Sequence, residues 1–528
     1  VYMVGVGCAL CLTMALLINL TMTPALLLAF PKFFTKFQLL PFCTRLQDFS
    51  NRYDDLLEEE DSKYVLADTN DHQNPYSVPR RESTLSQGMQ AEAYAKSEKE
   101  KLEKSYWYTS TRRCIKWPYV FLTILVPLGL IAPAAVHLLD FKYSMSNEQI
   151  APRNSLSTQC QDHVKRNFPL GLMNPLYVLV DASQLGPNSV ETDDFFNITA
   201  TISELLVQDT QCTSEQVNSI AYVKGMPLDL EKSKMARQLQ SYYNDFYNLT
   251  VNHYKDAALI QMTVPFAPYG DDTVGFSKTV RSILDRGYLQ RDGFKYYLVG
   301  YPIWIVDTVN LTYELFPYII LATVLAIFFF ISVLLMSASV PLRYAFTLVF
   351  PLSFIFGVAV LIYQEGALNG LHWAALENSD GMYWLTPIIT FPICTGLALD
   401  YDIFLICRVI EYRKMGFTDK ASILKAVHET GGIITAAGII MAIAFGGMMF
   451  SQTDTLNQIA WILFSSVLFD TFVVRTILVP AVLTLGGPVN WWPRRVPKNN
   501  LKNEFGEEMN GESDIKAGSA QRLFIVNK

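Results

Sequence analysis

Charged residues are scarce in this chain: only 17% of its 528 residues are Asp, Glu, Lys or Arg. A soluble protein usually has about a quarter of its residues charged, so the composition disfavours a soluble enzyme. The 42 basic residues are outnumbered by 49 acidic ones, and a net charge of −7 gives no electrostatic basis for binding nucleic acid. Eight cysteines are also too few for a disulfide scaffold.

Motifs for nucleotides, metals and catalysis are missing as well. The sequence has no P-loop, so ATP is not the expected energy source, and no cluster of His, Cys and carboxylates has metal-ligand spacing. The six histidines offer little for a catalytic triad. We therefore expect no cofactor, no metal and no enzymatic activity.

Apolar residues, by contrast, make up 51% of the chain and gather in runs long enough to cross a hydrocarbon layer of roughly 30 Å. The predicted membrane spans are residues 1–30, 117–139, 315–336, 341–363, 383–407, 432–450 and 459–485. The first run lacks the basic leader and cleavage site of a signal peptide, so we expect the chain to begin inside a longer membrane protein.

The orientation follows from the short connections, because Lys and Arg concentrate on the cytosolic side. The loop after residue 407 is rich in Lys and Arg, whereas the loop at 364–382 has acidic residues and no basic one. These loops predict a cytosolic linker at 31–116, an extracytoplasmic domain at 140–314 and a cytosolic tail at 486–528. The polar composition of the linker predicts that it is largely disordered.

The extracytoplasmic segment alternates strand and helix patterns. Strands are predicted at 175–180, 219–223, 257–264 and 295–299, and helices at 193–207 and 271–284, with an extra helix near 229–247. The order β-α-β-β-α-β is that of the split ferredoxin-like unit. The predicted fold class is therefore a polytopic α-helical membrane bundle with an α+β ferredoxin-like extracytoplasmic domain.

Two covalent modifications are predicted in the same domain. Asn197, Asn248 and Asn310 each begin an Asn-x-Thr acceptor, so we expect a glycoprotein. Cys160 and Cys212 could form a disulfide in an oxidising compartment.

Ionisable residues inside apolar spans are costly and indicate function. Asp400 and Asp402 lie in the span at 383–407 and point to nearly opposite sides of a helix. We expect Asp400 to be a buried, proton-binding carboxylate with Tyr401 as its hydrogen-bonding neighbour, and Asp402 to lie closer to the inner interface and reach water. The alternative is that a neighbouring helix satisfies Asp400 and that the residue has only a structural role.

The last span contains Asp470 and Arg475. Residues five apart in an α-helix lie about 140° from each other, which is a poor geometry for an ion pair. We therefore expect each to find its partner on another helix, with Asp400 as the partner of Arg475. A moving proton relay and a static ion pair that fixes helix packing are both open.

Small residues let helix backbones approach closely in lipid. The glycines expected at such contacts are Gly396, Gly432 and Gly438.

Three stretches resemble the MMPL family of the resistance-nodulation-division (RND) superfamily: 396–412 (GLALDYDIFLICRVIEY), 428–445 (HETGGIITAAGIIMAIAF) and 470–493 (DTFVVRTILVPAVLTLGGPVNWWP). Proteins of that family have two homologous halves, each with one helix, an outer ferredoxin-like domain and five further helices. By this resemblance, the chain looks like the last helix of a first half followed by the whole second half.

The resemblance implies proton-driven export, as in a proton antiporter, of lipids or other hydrophobic molecules. Asp400 and Tyr401 match the family's second-half relay pair, while the first-half pair would lie in a missing N-terminal half. The implied partners are protons, membrane lipids and an amphipathic substrate, and an oligomer is open. The three acceptors and the long linker are unlike bacterial members, so we expect a plasma membrane or endomembrane of a eukaryotic cell. The alternative is a Patched-like sterol-sensing receptor or scaffold without net transport, which shares the Gly-x-x-x-Asp pattern of 396–400.

Overall fold

The computed structural model of the chain describes residues 102–493, apart from Asp380. The predicted span at 1–30, nearly all of the linker and the tail after residue 493 lie outside these residues.

The helices of the described part are numbered in chain order. They are α1 (Tyr106–Cys114), α2 (Tyr119–Val136), α3 (Leu156–Asn167), α4 (Asp193–Asp209), α5 (Leu230–Leu239), α6 (Ser241–Thr250), α7 (Asp271–Leu284), α8 (Tyr301–Leu335), α9 (Ser339–Tyr363), α10 (Leu385–Lys414), α11 (Asp419–Met448), α12 (Asp454–Phe469) and α13 (Val479–Gly486). The strands are β1 (Tyr143–Ser144), β2 (Leu176–Asp181), β3 (Val217–Asn218), β4 (Tyr222–Val223), β5 (Met226–Pro227), β6 (Ala257–Met262), β7 (Lys295–Val299) and β8 (Met382–Tyr383).

Five helical segments among the described residues are long and apolar enough to cross a membrane. They are Tyr119–Asp140, Tyr301–Leu335, Ser339–Tyr363, Asp419–Met448 and Asp454–Gly486. They coincide with five of the predicted spans. The chain is thus a mostly helical integral membrane protein.

The helix α10, which covers the predicted span at 383–407, is not among these five segments. Its 30 residues correspond to roughly 45 Å, enough to cross a bilayer, but Asp400, Asp402 and Arg408 reduce its apolar character. The length of α10 fits the predicted span, and its composition sets it apart from the other long helices.

Close backbone contacts hold the long helices together. At Gly357 on α9, an added Cβ would lie 1.9 Å from the carbonyl oxygen of Ala134 on α2, so only glycine fits this crossing. Gly357 is not among the packing glycines predicted from the sequence. In lipid, burial of apolar surface drives helix association only weakly. Close backbone contacts of this kind allow dispersion attraction to hold the helices together instead.

Between α2 and α8 the chain forms a small domain built on a four-stranded antiparallel sheet with strand order β3-β6-β2-β7. Strands β2 and β6 alternate buried and half-buried residues, as expected when one face of a sheet is covered. Helices α4 and α7 supply Phe195, Ile202, Val280 and Ile283 to the core with the buried strand residues.

Two elements of this domain differ from the sequence prediction. The predicted strand at 219–223 is displaced: β3 pairs with β6 at 217–218, while β4 forms a separate hairpin with β5. Lys224 and Gly225 have φ of 49° and 84°, and this tight turn folds β4 back before it can extend the sheet. The predicted helix at 229–247 is two helices, α5 and α6, separated by Gln240 in an extended conformation.

The predicted disulfide is not formed. Cys160 is an exposed free thiol on α3, whereas Cys212 is a free thiol buried in the domain core. Burial raises the pKa of the Cys212 thiol, which disfavours the reactive thiolate. The two cysteines therefore have separate surroundings, which their sequence positions do not reveal.

The three predicted glycosylation acceptors all lie on helices. Asn197 on α4 and Asn248 on α6 are exposed, whereas Asn310 is half-buried on α8 and its Oδ1 accepts a hydrogen bond from the Tyr143 hydroxyl at 3.5 Å. Glycosylation remains a prediction for Asn197 and Asn248, and Asn310 is the least accessible of the three.

The domain is joined to the membrane helices at several points. β7 leads through Gly300 directly into α8, with Pro302 in its first turn, so a single helix of 35 residues runs from the domain into the bundle. β1 pairs in parallel with β8, at the start of α10. An ion pair between Arg153 and Asp454 also connects the domain to the first turn of α12. These links fix the domain on one end of the bundle.

Candidate functional site

A π-helix, Asp470–Leu478, joins α12 to α13. The amide of Val479 donates to the carbonyl of Val474, the i to i+5 bond that defines this helix type. Such segments are rare and occur frequently at functional sites. Because the turn is wider than that of an α-helix, residues five apart come close together on one side.

Asp470 and Arg475 are such a pair, and they form an ion pair within the π-helix, with Arg475 Nη2 donating to Asp470 Oδ2. The Arg475 side chain is 3% exposed and that of Asp470 13%. The expectation that the two residues could not pair with each other is therefore wrong, because it assumed α-helical geometry. For the same reason Asp470, not Asp400, is the carboxylate paired with Arg475 among the described residues.

Arg475 also connects the π-helix to α10. Its guanidinium carbon lies 4.1 Å from the centroid of the Tyr401 ring, and Nη2 is 3.5 Å from the carbonyl oxygen of Leu397. A guanidinium stacked on an aromatic face in a desolvated site contributes about 2 kcal/mol. The Tyr401 hydroxyl in turn lies 3.8 Å from the sulfur of Met441 on α11. Arg475 and Tyr401 therefore link three elements of the bundle.

The two carboxylates of α10 are placed opposite to the sequence expectation. Asp402 is buried, with 4% of its surface exposed, whereas Asp400 is exposed in the described bundle. The residues lie about 200° apart around the helix, so packing one of them against α9 turns the other outward. Packing thus decides which carboxylate is buried, and the sequence spacing does not.

Arg343, near the start of α9, is a site residue that was not predicted from the sequence. It is buried, and its charge interacts with that of Asp402. None of its three guanidinium nitrogens makes a hydrogen bond within residues 102–493, and neither does Asp402 Oδ1. The available signal was an arginine within the apolar run at 341–363, since such a residue requires a nearby carboxylate.

Four ionisable residues, Arg343, Arg475, Asp402 and Asp470, form what we call the Arg475 cluster, and their charges balance. Arg343 and Arg475 carry two positive charges, and Asp402 and Asp470 can carry two negative ones. Arginine does not lose its proton in proteins, so any change of charge here occurs on a carboxylate. Asp400 is an additional carboxylate on the exposed side of α10, and it is not part of this charge balance.

The predicted packing glycines behave differently from one another. At Gly438 an added Cβ would lie 2.4 Å from Thr471 Oγ1, so α11 contacts the π-helix closely there. At Gly396 and Gly432 an added Cβ would have no neighbouring atom within 4 Å in the described part of the chain. The close contact next to Gly432 is instead at Gly431, where a Cβ would lie 2.8 Å from the Trp107 ring of α1.

Comparison with known proteins identifies a family. A family model described as the MMPL family matches residues 210–503. The probable transport protein MmpL10 of Mycobacterium leprae is 31% identical over 204 residues, which are 39% of this chain and 19% of that protein. The sulfolipid-1 exporter MmpL8 of Mycobacterium tuberculosis is 32% identical over 195 residues, 37% of this chain and 17% of the relative.

A third similar protein is the acyltrehalose exporter MmpL10 of Mycobacterium tuberculosis, 31% identical over 194 residues, 37% of this chain and 18% of that protein. The matched stretch thus spans less than a fifth of the length of each of these relatives. All three are mycobacterial, so they give no support to the expected eukaryotic membrane or to glycosylation.

The contact between Gly438 and Thr471 yields a matched test of packing. We expect Gly438→Val to lower the free energy of unfolding by about 1–3 kcal/mol, because the new side chain must displace the π-helix. Gly432→Val, six residues earlier on the same helix, adds the same side chain where space is open. Thermal unfolding of the two purified variants in detergent measures the difference. Equal destabilisation would contradict the contact.

The different burial of the two α10 carboxylates yields a second test. Asp402→Asn leaves the Arg343 charge buried without its carboxylate, and breaking a buried pair in this way costs about 3–5 kcal/mol. Asp400→Asn removes a carboxylate that has no buried cationic partner among the described residues, so its loss of stability should be clearly smaller.

Denaturant unfolding in detergent compares these variants with the double variant Arg343→Met/Asp402→Asn. The double variant should recover much of the lost stability, since no unpaired charge remains. Equal losses for Asp400→Asn and Asp402→Asn would refute the assignment of the buried carboxylate.

Proposed function

The chain belongs to the MMPL family, and from this premise we propose that it acts as a proton-driven secondary transporter of lipids or other amphipathic molecules across or out of a membrane. The relatives named as exporters of sulfolipid-1 and acyltrehalose support the lipid class of substrate. The observation that carries the proton-driven mechanism is the set of ionisable side chains in the membrane bundle, with one carboxylate, Asp400, outside the balanced pairs.

In this proposal the domain between α2 and α8 is a ferredoxin-like, porter-type domain on the extracytoplasmic side. Its support is the strand order β3-β6-β2-β7, with α4 following β2 and α7 following β6. The connection from α10 to α11 is flanked by basic residues, Arg413 and Lys414 at the end of α10 and Lys420 at the start of α11, which supports a cytosolic position for it. The domain would then guide the substrate while the helices respond to protons.

Asp400 is proposed as the residue that takes up the proton. Its position on the open side of α10 makes it reachable from outside the described bundle, whereas Asp402 is enclosed. A lone carboxylate facing lipid is costly in its charged form, so protonation or a covering helix must stabilise it. We propose that this side of α10 is covered in the working transporter.

Tyr401 and Arg475 would transmit the change. Asp400 adjoins Tyr401, whose ring stacks on the Arg475 guanidinium, and Arg475 is held by Asp470 in the π-helix. When Asp400 gains a proton, one negative charge near Arg475 disappears, and the balance between its contacts with Asp470 and Tyr401 shifts. The π-helix, a helix type found frequently at functional sites, is the segment that would respond to this shift.

The test is lipid flux in vesicles that contain the whole protein and an imposed pH gradient. Asp400→Asn should abolish the gradient-dependent flux because the side chain can no longer bind and release a proton. Glu411→Gln, at the end of the same helix, removes one exposed carboxylate and should retain flux.

Gradient-driven flux that persists in Asp400→Asn would refute the role of Asp400. Substrate binding by the unaltered protein without any flux would instead favour the receptor or scaffold alternative.

A further inference from the structure

A second charged site lies at the membrane edge, where α1 meets the first turn of α11. A cavity of about 440 Å³ is lined by four basic residues, an exposed tryptophan and two apolar side chains. The residues are Arg112, Arg113, Lys116, Lys420, Trp117, Ile115 and Leu424. This cavity is separate from the Arg475 cluster and has no part in the proposed proton pathway.

The cavity has excess positive charge. Its lining contains no acidic residue. Arg113, Lys116 and Lys420 make no ion pair with any residue in the described part of the chain. The nearest acid in sequence to Lys420 is Asp419, and it is already bound to Arg413 at 2.8 Å and to the Trp491 indole at 3.3 Å. An anion entering the cavity would therefore meet Arg113, Lys116 and Lys420, which have no ion-pair partner within residues 102–493.

The location of the cavity favours a lipid over a soluble anion. The apolar span begins at Tyr119, two residues after Trp117, so the basic residues lie where headgroups meet the bundle. Trp117 and Tyr119 are 64% and 57% exposed, as is typical of aromatic residues at a membrane interface. Beyond them, Leu122 and Leu125 on α2 are exposed apolar residues that acyl chains can contact.

We propose that this cavity, the α1–α11 basic pocket, binds the headgroup of an anionic phospholipid. The phosphate would lie among Arg113, Lys116 and Lys420, with the acyl chains along α2. Basic pockets between membrane helices are known to hold such headgroups.

Helix α1 gives this lipid a route to influence the bundle. Its C-terminal end contributes Arg112 and Arg113 to the basic pocket, while Trp107, near its N-terminal end, packs on Gly431. Trp107 also lines a small crevice shared with Thr471 and Arg475. A bound headgroup would hold α1 in place, and with it the tryptophan that closes this crevice.

The test measures quenching of Trp117 fluorescence by brominated lipids in the whole protein, using the difference between the unaltered protein and Trp117→Phe. Vesicles contain phosphatidylcholine alone or with phosphatidylglycerol, and the bromine is carried by one lipid at a time. Brominated phosphatidylglycerol should quench at a much lower mole fraction than brominated phosphatidylcholine. Each basic residue removed should weaken this preference about fivefold, the factor equivalent to roughly 1 kcal/mol per Lys or Arg near an anionic membrane surface.

The decisive variant is Arg113→Gln/Lys116→Gln/Lys420→Gln, which removes three exposed charges. Its matched control, Lys234→Gln/Lys278→Gln/Lys414→Gln, removes three exposed charges elsewhere. The first variant should lose the preference for phosphatidylglycerol, and the control should keep it.

Equal quenching by the two lipids, or equal loss in both triple variants, would overturn the proposal. Displacement of the lipid by millimolar inorganic phosphate would overturn its assignment to a lipid headgroup. Because the readout is lipid binding, it stands apart from the flux assay, and either proposal can fail alone.

Discussion

The buried guanidinium of Arg475 is the constraint on which the membrane bundle depends. It is almost completely removed from solvent, and a buried guanidinium requires a carboxylate beside it. The π-helix meets this requirement by bringing Asp470 next to Arg475. The close approach of Gly438 to Thr471 and the stacking of Tyr401 on the guanidinium then fix this segment against α11 and α10.

This arrangement separates structural charges from a candidate for proton exchange. Asp402 and Arg343 lie within the helix packing, and removal of either leaves an uncompensated charge. Asp400 lies on the other side of α10, where a change of protonation breaks no buried pair. Its neighbour Tyr401 nevertheless contacts Arg475, so a charge change at Asp400 has a short path to the π-helix.

The sequence predicted the features that depend on composition and periodicity. Apolar runs located the five candidate spans, and the strand and helix patterns located β2, β6, β7, α4 and α7 to within two residues at every end. The errors arise where tertiary contacts decide. The five-residue spacing of Asp470 and Arg475 disfavours an ion pair in an α-helix but allows one in a π-helix. The spacing alone does not reveal which type of helix forms. Likewise, the sequence shows that Asp400 and Asp402 face opposite sides, but only the packing of α9 with Arg343 decides which side is buried.

A double-mutant cycle on Arg475 tests this account most directly. The free energies of unfolding of Asp470→Asn, Arg475→Gln and the double variant give the coupling free energy between these two residues. A second cycle combines Asp400→Asn with Arg475→Gln in the same way. The π-helix predicts a coupling of about 1–3 kcal/mol for Asp470 with Arg475, and a clearly smaller coupling, carried only through Tyr401, for Asp400 with Arg475. A large coupling for Asp400 and none for Asp470 would contradict the account, since it would show Arg475 paired across to α10 from an ordinary α-helix.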